Sequence, residues 1–171
     1  MLILARPHTS LLDGPAVAFY MLRCGIRHAV FAVDPDYARH PVWSKILKAI
    51  GWITGGHTML PLDSSRPYAM RTLARLLDEG RDVVIFPQGT GLADPDRPDA
   101  KGVDWLLNRL KLREGDVKTV TLIHGGWFPR VTDEGTPSSP PRLLWLFVDS
   151  ESLRVSDRFR RYLNNEEKRY G

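Results

Sequence analysis

A helical stripe that feeds a short, wholly apolar run narrows the fold of this chain more than any other feature. Ala69, Met70, Leu73, Ala74, Leu76 and Leu77 recur at the spacing of one helix face, Arg71, Arg75, Asp78 and Glu79 fall between them, and Gly80 follows as a stop. Val83-Val84-Ile85-Phe86 is then apolar at every position until Pro87 and Gly89 break it. A strand with no polar face belongs inside a sheet covered on both sides. With the apolar run Met59-Leu60-Pro61-Leu62 ahead of the helix, the segment reads strand, helix, strand, the unit that makes a right-handed crossover between parallel strands. The expected fold is α/β, a mixed, largely parallel sheet flanked by helices. Ligands on such sheets collect beyond the strand C-termini, which directs attention to residues 87–90.

The N-terminus repeats the pattern. Leu2-Ile3-Leu4-Ala5 reads as a buried strand ended by Pro7, and Asp13-Gly14-Pro15 opens a helix that continues through Ala16 to Leu22. His8 therefore falls in the loop and Asp13 at or near the helix cap, again at a strand C-terminus. On one regular helix, residues five apart stand about 140° apart around the axis. A His8–Asp13 contact thus requires this loop-to-helix turn. The chemistry of such a pair is that of a general base: imidazole accepts a proton near neutral pH, and a carboxylate on its far nitrogen holds the productive tautomer. No enzyme nucleophile is implied, since there is no G-x-S-x-G elbow and the one cysteine, Cys24, lies in the apolar helical pattern. Ser10 either caps the turn or touches substrate. His8, Asp13 and Cys24 lack metal-ligand spacing, so neither a metal nor a tightly bound cofactor is expected.

Further along, Ser64 or Ser65 can cap the helix with Pro67 in its first turn, which leaves two readings of Arg66: a solvated side chain, or a ligand for an anion at a helix start. Lys101-Gly102 opens a helical pattern through Trp105, Leu106, Leu107 and Leu110, and Val117 to Ile123 reads as a strand. His124, beside Gly125 and Gly126, reads as structural. The turn-rich stretch from Gly91 to Asp99 is placed to cover a ligand, and Arg130 to Arg142 reads as a flexible connection to a last strand at Leu143 to Val148. Trp43, Trp52, Trp105 and Trp127 read as core or interfacial packing.

Three blocks resemble one family. His8, Ser10 and Asp13 fit the N-H-x-S-x-x-D signature of the glycerolipid and lysophospholipid acyltransferases (1-acylglycerol-3-phosphate acyltransferase-like), with Pro7 in place of Asn. Met59 to Pro67 falls where that family keeps its second block, and Phe86-Pro87-Gln88-Gly89-Thr90 resembles its F-P-E-G-T-R block with Gln88 for the acid and Gly91 for the Arg. The likeness is strongest to the acyltransferase half of the bacterial bifunctional 2-acylglycerophosphoethanolamine acyltransferase/acyl-[acyl-carrier-protein] synthetase, over residues 1–125. It implies acyl transfer from acyl-CoA or acyl carrier protein to the hydroxyl of a lysophospholipid or a glycerol 3-phosphate derivative. His8 would be the base, Asp13 its orienter, and Ser10, Arg66, Phe86, Pro87, Gln88, Gly89 and Thr90 would contact substrate. Gln88 and Gly91 keep a second expectation open, a lipid-binding module of the same fold without turnover.

At 171 residues the chain fits a single domain, with residues 149–171 as a basic tail or amphipathic helix. One cysteine suits a reducing compartment. No apolar run approaches the ~20 residues that cross a bilayer, and Arg6 and Pro7 follow Met1 too soon for a signal peptide. Members of the family usually carry an N-terminal membrane-seating segment, whereas this chain begins almost on the His8 motif. A net charge of +4 would favour anionic headgroups. The expectation is a cytoplasmic protein, peripheral at the inner face of the membrane. No nucleic-acid recognition motif accompanies the charge.

Overall fold

The computed structural model describes residues 1–62, 67–89, 94, 96–110, 116–125, 128–133 and 136–137, all within a unit spanning Met1–Pro137. In chain order the elements are β1 (Leu2–Arg6), α1 (Asp13–Arg23), β2 (Val30–Val33), α2 (Pro35–Arg39), α3 (Trp43–Ile53), β3 (Thr58–Pro61), α4 (Pro67–Asp78), β4 (Val83–Ile85), α5 (Lys101–Leu110), β5 (Val117–Ile123), β6 (Arg130–Asp133) and β7 (Thr136–Pro137). Among the described residues these strands form one sheet in the order β3-β2-β4-β1-β5-β6-β7. The first five are mutually parallel, and β6 and β7 add on antiparallel. The expected α/β fold with a mixed, largely parallel sheet is the fold observed.

Strands β1 and β4 are short and apolar but for Arg6, and they sit at the centre of the sheet, where both of their faces are covered. On one face Ile3, Ala5, Phe31, Val84 and Val120 pack under Ala16, Val17 and Met21 of α1. On the other, Leu2, Leu4, Val83 and Ile85 pack under Met70, Leu73 and Ala74 of α4 and Val103 and Leu106 of α5. The stripe read from the sequence of α4 is therefore core. Its stop is the one anticipated: Gly80 takes φ +75°, and the N–H groups of Gly80 and Arg81 close on the carbonyls of Leu77 and Leu76.

Two sequence expectations need correction. Arg130–Asp133 and Thr136–Pro137 are sheet strands and not a flexible connection. Pro137 is compatible with this because, among the described residues, β7 lies at the end of the strand order, and edge strands tolerate proline. Cys24 is exposed at the C-cap of α1, outside the apolar face. The expected strand at residues 143–148 and the basic tail lie outside the described residues, as does Trp127. Trp43 is buried, whereas Trp52 and Trp105 are exposed.

Lateral ties fix α1 against the far side of the sheet. Tyr20 Oη donates to Asp133 Oδ2 at 2.6 Å, Lys118 pairs with the same carboxylate, and the Lys118 ammonium lies 5.4 Å from the Tyr20 ring centre. The hydrogen bonds from Lys118 and then Tyr20 hold the Asp133 carboxyl below its ordinary range, and burial above all pushes the Tyr20 phenol up.

Candidate active site

The chain leaves β1 for α1 on one face of the sheet and leaves β4 for α5 on the other, although β1 and β4 are neighbours. The connections after two adjacent strands thus diverge and open a crevice at the strand C-termini, the usual ligand position on an open parallel sheet. His8 follows β1 and Phe86 to Gly89 follow β4. The register Leu4↔Ile85 sets the two segments level with each other.

Within the first segment the loop-to-helix turn brings His8 and Asp13 together, with His8 Nδ1 3.0 Å from Asp13 Oδ2. A carboxylate only accepts, so Nδ1 carries the proton and Nε2 is left with its lone pair. Oδ2 also accepts from the backbone N–H groups of Thr9 and Ser10, each at 2.9 Å. Asp13 is the first helical residue, Leu12 occupies the N-cap, and the carboxylate turns back on the loop and does not cap the helix. It is completely buried, at 0% exposure. An unpaired carboxylate would not be stable there. Ser10 serves the turn, its Oγ accepting from the Leu12 N–H at 3.2 Å.

The second segment supports the imidazole from the other side. The Phe86 ring stacks on His8 with centroids 4.2 Å apart and planes 27° apart. Gln88, 6% exposed, accepts the His8 backbone N–H on Oε1 at 2.7 Å and donates from Nε2 to the Arg97 carbonyl at 3.0 Å. These two partners give a physical reason for an amide at this position. One partner is a donor and the other an acceptor, so Gln satisfies both while an ionised Glu satisfies one and repels the other. Pro87 contributes its carbonyl to the Ala100 N–H at 2.7 Å, Gly89 closes the turn on Phe86 at 3.0 Å with φ +73°, and Arg6 pairs with Asp99. The stretch read from sequence as a cover is thereby stapled to both strand ends in its described part, residues 94 and 96–99. Arg66 and Thr90 lie outside the described residues.

We expect Gln88→Glu to lower stability by about 1–3 kcal/mol at pH 8, the cost of an unsatisfied buried group. The introduced carboxyl, facing a carbonyl, would have a raised folded pKa. Its contribution is therefore retained below its unfolded value of about 4.3 and lost as pH rises through the folded one. Thermal melts should show a deficit at pH 8 that shrinks toward pH 4; equal deficits at both pH values would count against this network.

One residue at the site was read from sequence only as structural, without a partner. His124 directly follows β5, the other neighbour of β1, and brings Nε2 to 2.7 Å from Asp13 Oδ1 and 3.1 Å from Thr9 Oγ1. Its signal was its place at the end of a strand. What the sequence lacked was the adjacency of β1 and β5.

Beside the pair lies an apolar cleft of about 1260 Å³, counting its open mouth, walled by His8, Leu11, Phe31, Trp43, Leu47 and Phe86, with Pro87 and Gly89 also on its surface. At one side stands His57, 6% exposed, whose Nδ1 accepts the Ala29 N–H at 3.2 Å. Burial pushes its imidazole below the ordinary range, which favours the uncharged ring in this apolar wall.

A sequence profile of the Acyltransferase family matches residues 1–122, most of the chain and the whole of β1 to α5. The chain belongs to the Acyltransferase family. No solved structure matches it. As an acyltransferase, its chemistry is the transfer of an acyl group. The match takes in every residue named from sequence for the site, while His124 lies just beyond it. No helix among the described residues of this acyltransferase is long and apolar enough to cross a membrane.

Proposed function

We propose that this acyltransferase moves a fatty acyl group from acyl-CoA or acyl carrier protein to the hydroxyl of a lysophospholipid or glycerol 3-phosphate derivative, as its likeness to the 2-acylglycerophosphoethanolamine acyltransferase half implies. The observation that carries the reading is a tautomer-fixed imidazole on the wall of a cleft otherwise lined almost entirely by apolar side chains. A cleft of that composition suits an alkyl chain. In the reaction, the acceptor hydroxyl gives its proton to His8 Nε2 as its oxygen bonds to the thioester carbonyl carbon. The tetrahedral adduct then collapses, the C–S bond breaks, and the leaving thiolate takes the proton back from His8. Asp13 stabilises the imidazolium between the two steps. The N–H groups of Thr9, Ser10, Leu12 and Asp13 are engaged within the turn. The donor for the developing oxyanion therefore comes from elsewhere than these four. No metal or bound cofactor takes part in this scheme. Ser10 and Gln88 act by shaping the turn, and Phe86, Pro87 and Gly89 by lining the cleft, with Arg66 and Thr90 assigned to the acceptor.

Lysophospholipid acceptors reside in bilayers, and α3 supports a peripheral approach to one. Its inner side, Trp43, Leu47 and Ile50, lines the cleft, while Trp52 and Ile53 are 79% and 60% exposed beside exposed Lys45 and Lys48. No acidic residue occurs between Tyr37 and Leu62. Aromatic and cationic side chains together favour an anionic interface, here the inner membrane face.

The test is transfer from radiolabelled palmitoyl-CoA, and from palmitoyl carrier protein, to a panel of lysophospholipids and glycerol 3-phosphate in anionic vesicles. Acyl-ester product is expected. Lipid binding without product from either donor would assign the chain to the lipid-binding alternative, and binding to neither lipid nor thioester would sink both readings. Trp52 fluorescence should be quenched by brominated lipid in the same vesicles if α3 faces them.

A further inference from the structure

The Asp13 carboxylate is shared by two imidazoles, and the second has no part in the scheme above. Oδ2 receives His8 and two backbone N–H groups, whereas the donor at Oδ1 is Nε2 of His124, at 2.7 Å. Because a carboxylate only accepts, His124 holds its proton on Nε2. With Asp13 at 0% exposure, no bulk solvent stands ready to replace that donor. The terminal torsion of an aspartate is broad, so donors gathered on one oxygen locate that oxygen without fixing the plane of the group. A donor on the other oxygen fixes the plane.

We propose that His124 is a positioning residue for the His8 base: its Nε2–H, bonded to Oδ1, locks the carboxylate plane and so holds Oδ2 in line with His8 Nδ1–H. Parallel pairing of β1 with β5 builds the contact. The register Arg6↔Thr121 carries Thr9 and His124 forward together, and they meet at 3.1 Å through Thr9 Oγ1. The catalytic turn is thereby clamped by both neighbours of β1, through Gln88 after β4 and His124 after β5.

The inference rests on the acyl-transfer reading for its kinetic arm only. His124→Gln keeps an N–H near the Nε2 position, whereas His124→Asn offers the same amide one bond nearer the backbone. With palmitoyl-CoA as donor, the Gln variant should keep kcat within about threefold of the parent. The Asn variant should lose about 10- to 100-fold in kcat, the worth of one hydrogen bond to a charged group, with KM nearly unchanged. A role in stability alone would leave kcat equal in the folded Gln and Asn variants, and that equality would overturn the proposal. A second readout needs no turnover. In ring ¹⁵N spectra, His8 should hold the single Nδ1–H tautomer in the parent and the Gln variant and become a mixture in the Asn variant. Identical His8 signals in all three would refute the role. Absence of transfer by the parent protein would reject the acyl-transfer reading and leave the spectra to decide His124.

Discussion

His8→Ala should lower acyl transfer by about 10³- to 10⁴-fold while the protein remains folded. General-base catalysis contributes about 10²- to 10⁴-fold, and the upper part of that range applies because an un-ionised hydroxyl is a poor nucleophile toward a thioester. Within the described site Asp13 is buried under its own donors, so no other carboxylate or imidazole takes over Nε2. The structural loss is small by comparison. The side chain gives up its stack on Phe86 and one bond to Asp13, while its backbone N–H stays on Gln88. Initial rates with palmitoyl-CoA and the preferred acceptor, set beside a thermal melt, separate the two effects. A folded variant that keeps rates within tenfold of the parent would remove His8 from the mechanism.

Substitutions at Asp13 should divide catalysis from stability. In Asp13→Asn the introduced amide can turn its oxygen to the Thr9 and Ser10 N–H groups and its nitrogen to His124, provided His124 moves its proton to Nδ1 and accepts on Nε2. The fold then survives, but the His8 imidazolium loses its counter-charge. Transfer is expected to fall by about 10²- to 10⁴-fold, the upper figure matching what this change does in a serine-protease triad. Asp13→Ala removes the acceptor altogether and leaves Thr9 N, Ser10 N, His8 Nδ1 and His124 Nε2 facing a buried void. At about 1–3 kcal/mol for each buried group left unpaired, partly relieved by relaxation, a loss of about 3–5 kcal/mol follows. Urea denaturation should place the Asn variant near the parent and the Ala variant well below it. The reverse order would mean that charge, and not hydrogen bonding, holds the turn.

How far the site was legible follows from the distances along the chain. His8 and Asp13 lie within one turn, so a strand end, a proline and a helix start read in succession permit their contact, and the likeness to the N-H-x-S-x-x-D signature singles the pair out. Gln88 was visible as a departure from the F-P-E-G-T-R pattern, but its meaning was not: the carbonyl of Arg97 that calls for a donor reaches it only through the folded 96–100 segment. His124 lies 111 residues from Asp13. A lone histidine next to two glycines carries no mark of its partner. The region from Gly25 to His57 was equally opaque. Strand β2 has only four residues, and α3 exposes Trp52 and Ile53 on its outer side, so neither gives the clean periodicity that identified α4.

By itself the sequence determined the central strands, the α4 and α5 stripes, the parallel α/β class and the His8–Asp13 pair. In each, the information is local, carried by unbroken apolar runs, by helical spacing, or by a short motif within one loop-to-helix turn. Tertiary structure alone decided the strand order β4-β1-β5, and with it the meeting of Gln88, His8 and His124 beyond the C-terminal ends of those strands. Any of several orders would bury the same apolar runs equally well. The hydrophobic pattern requires that these strands be covered and is silent on which of them are neighbours.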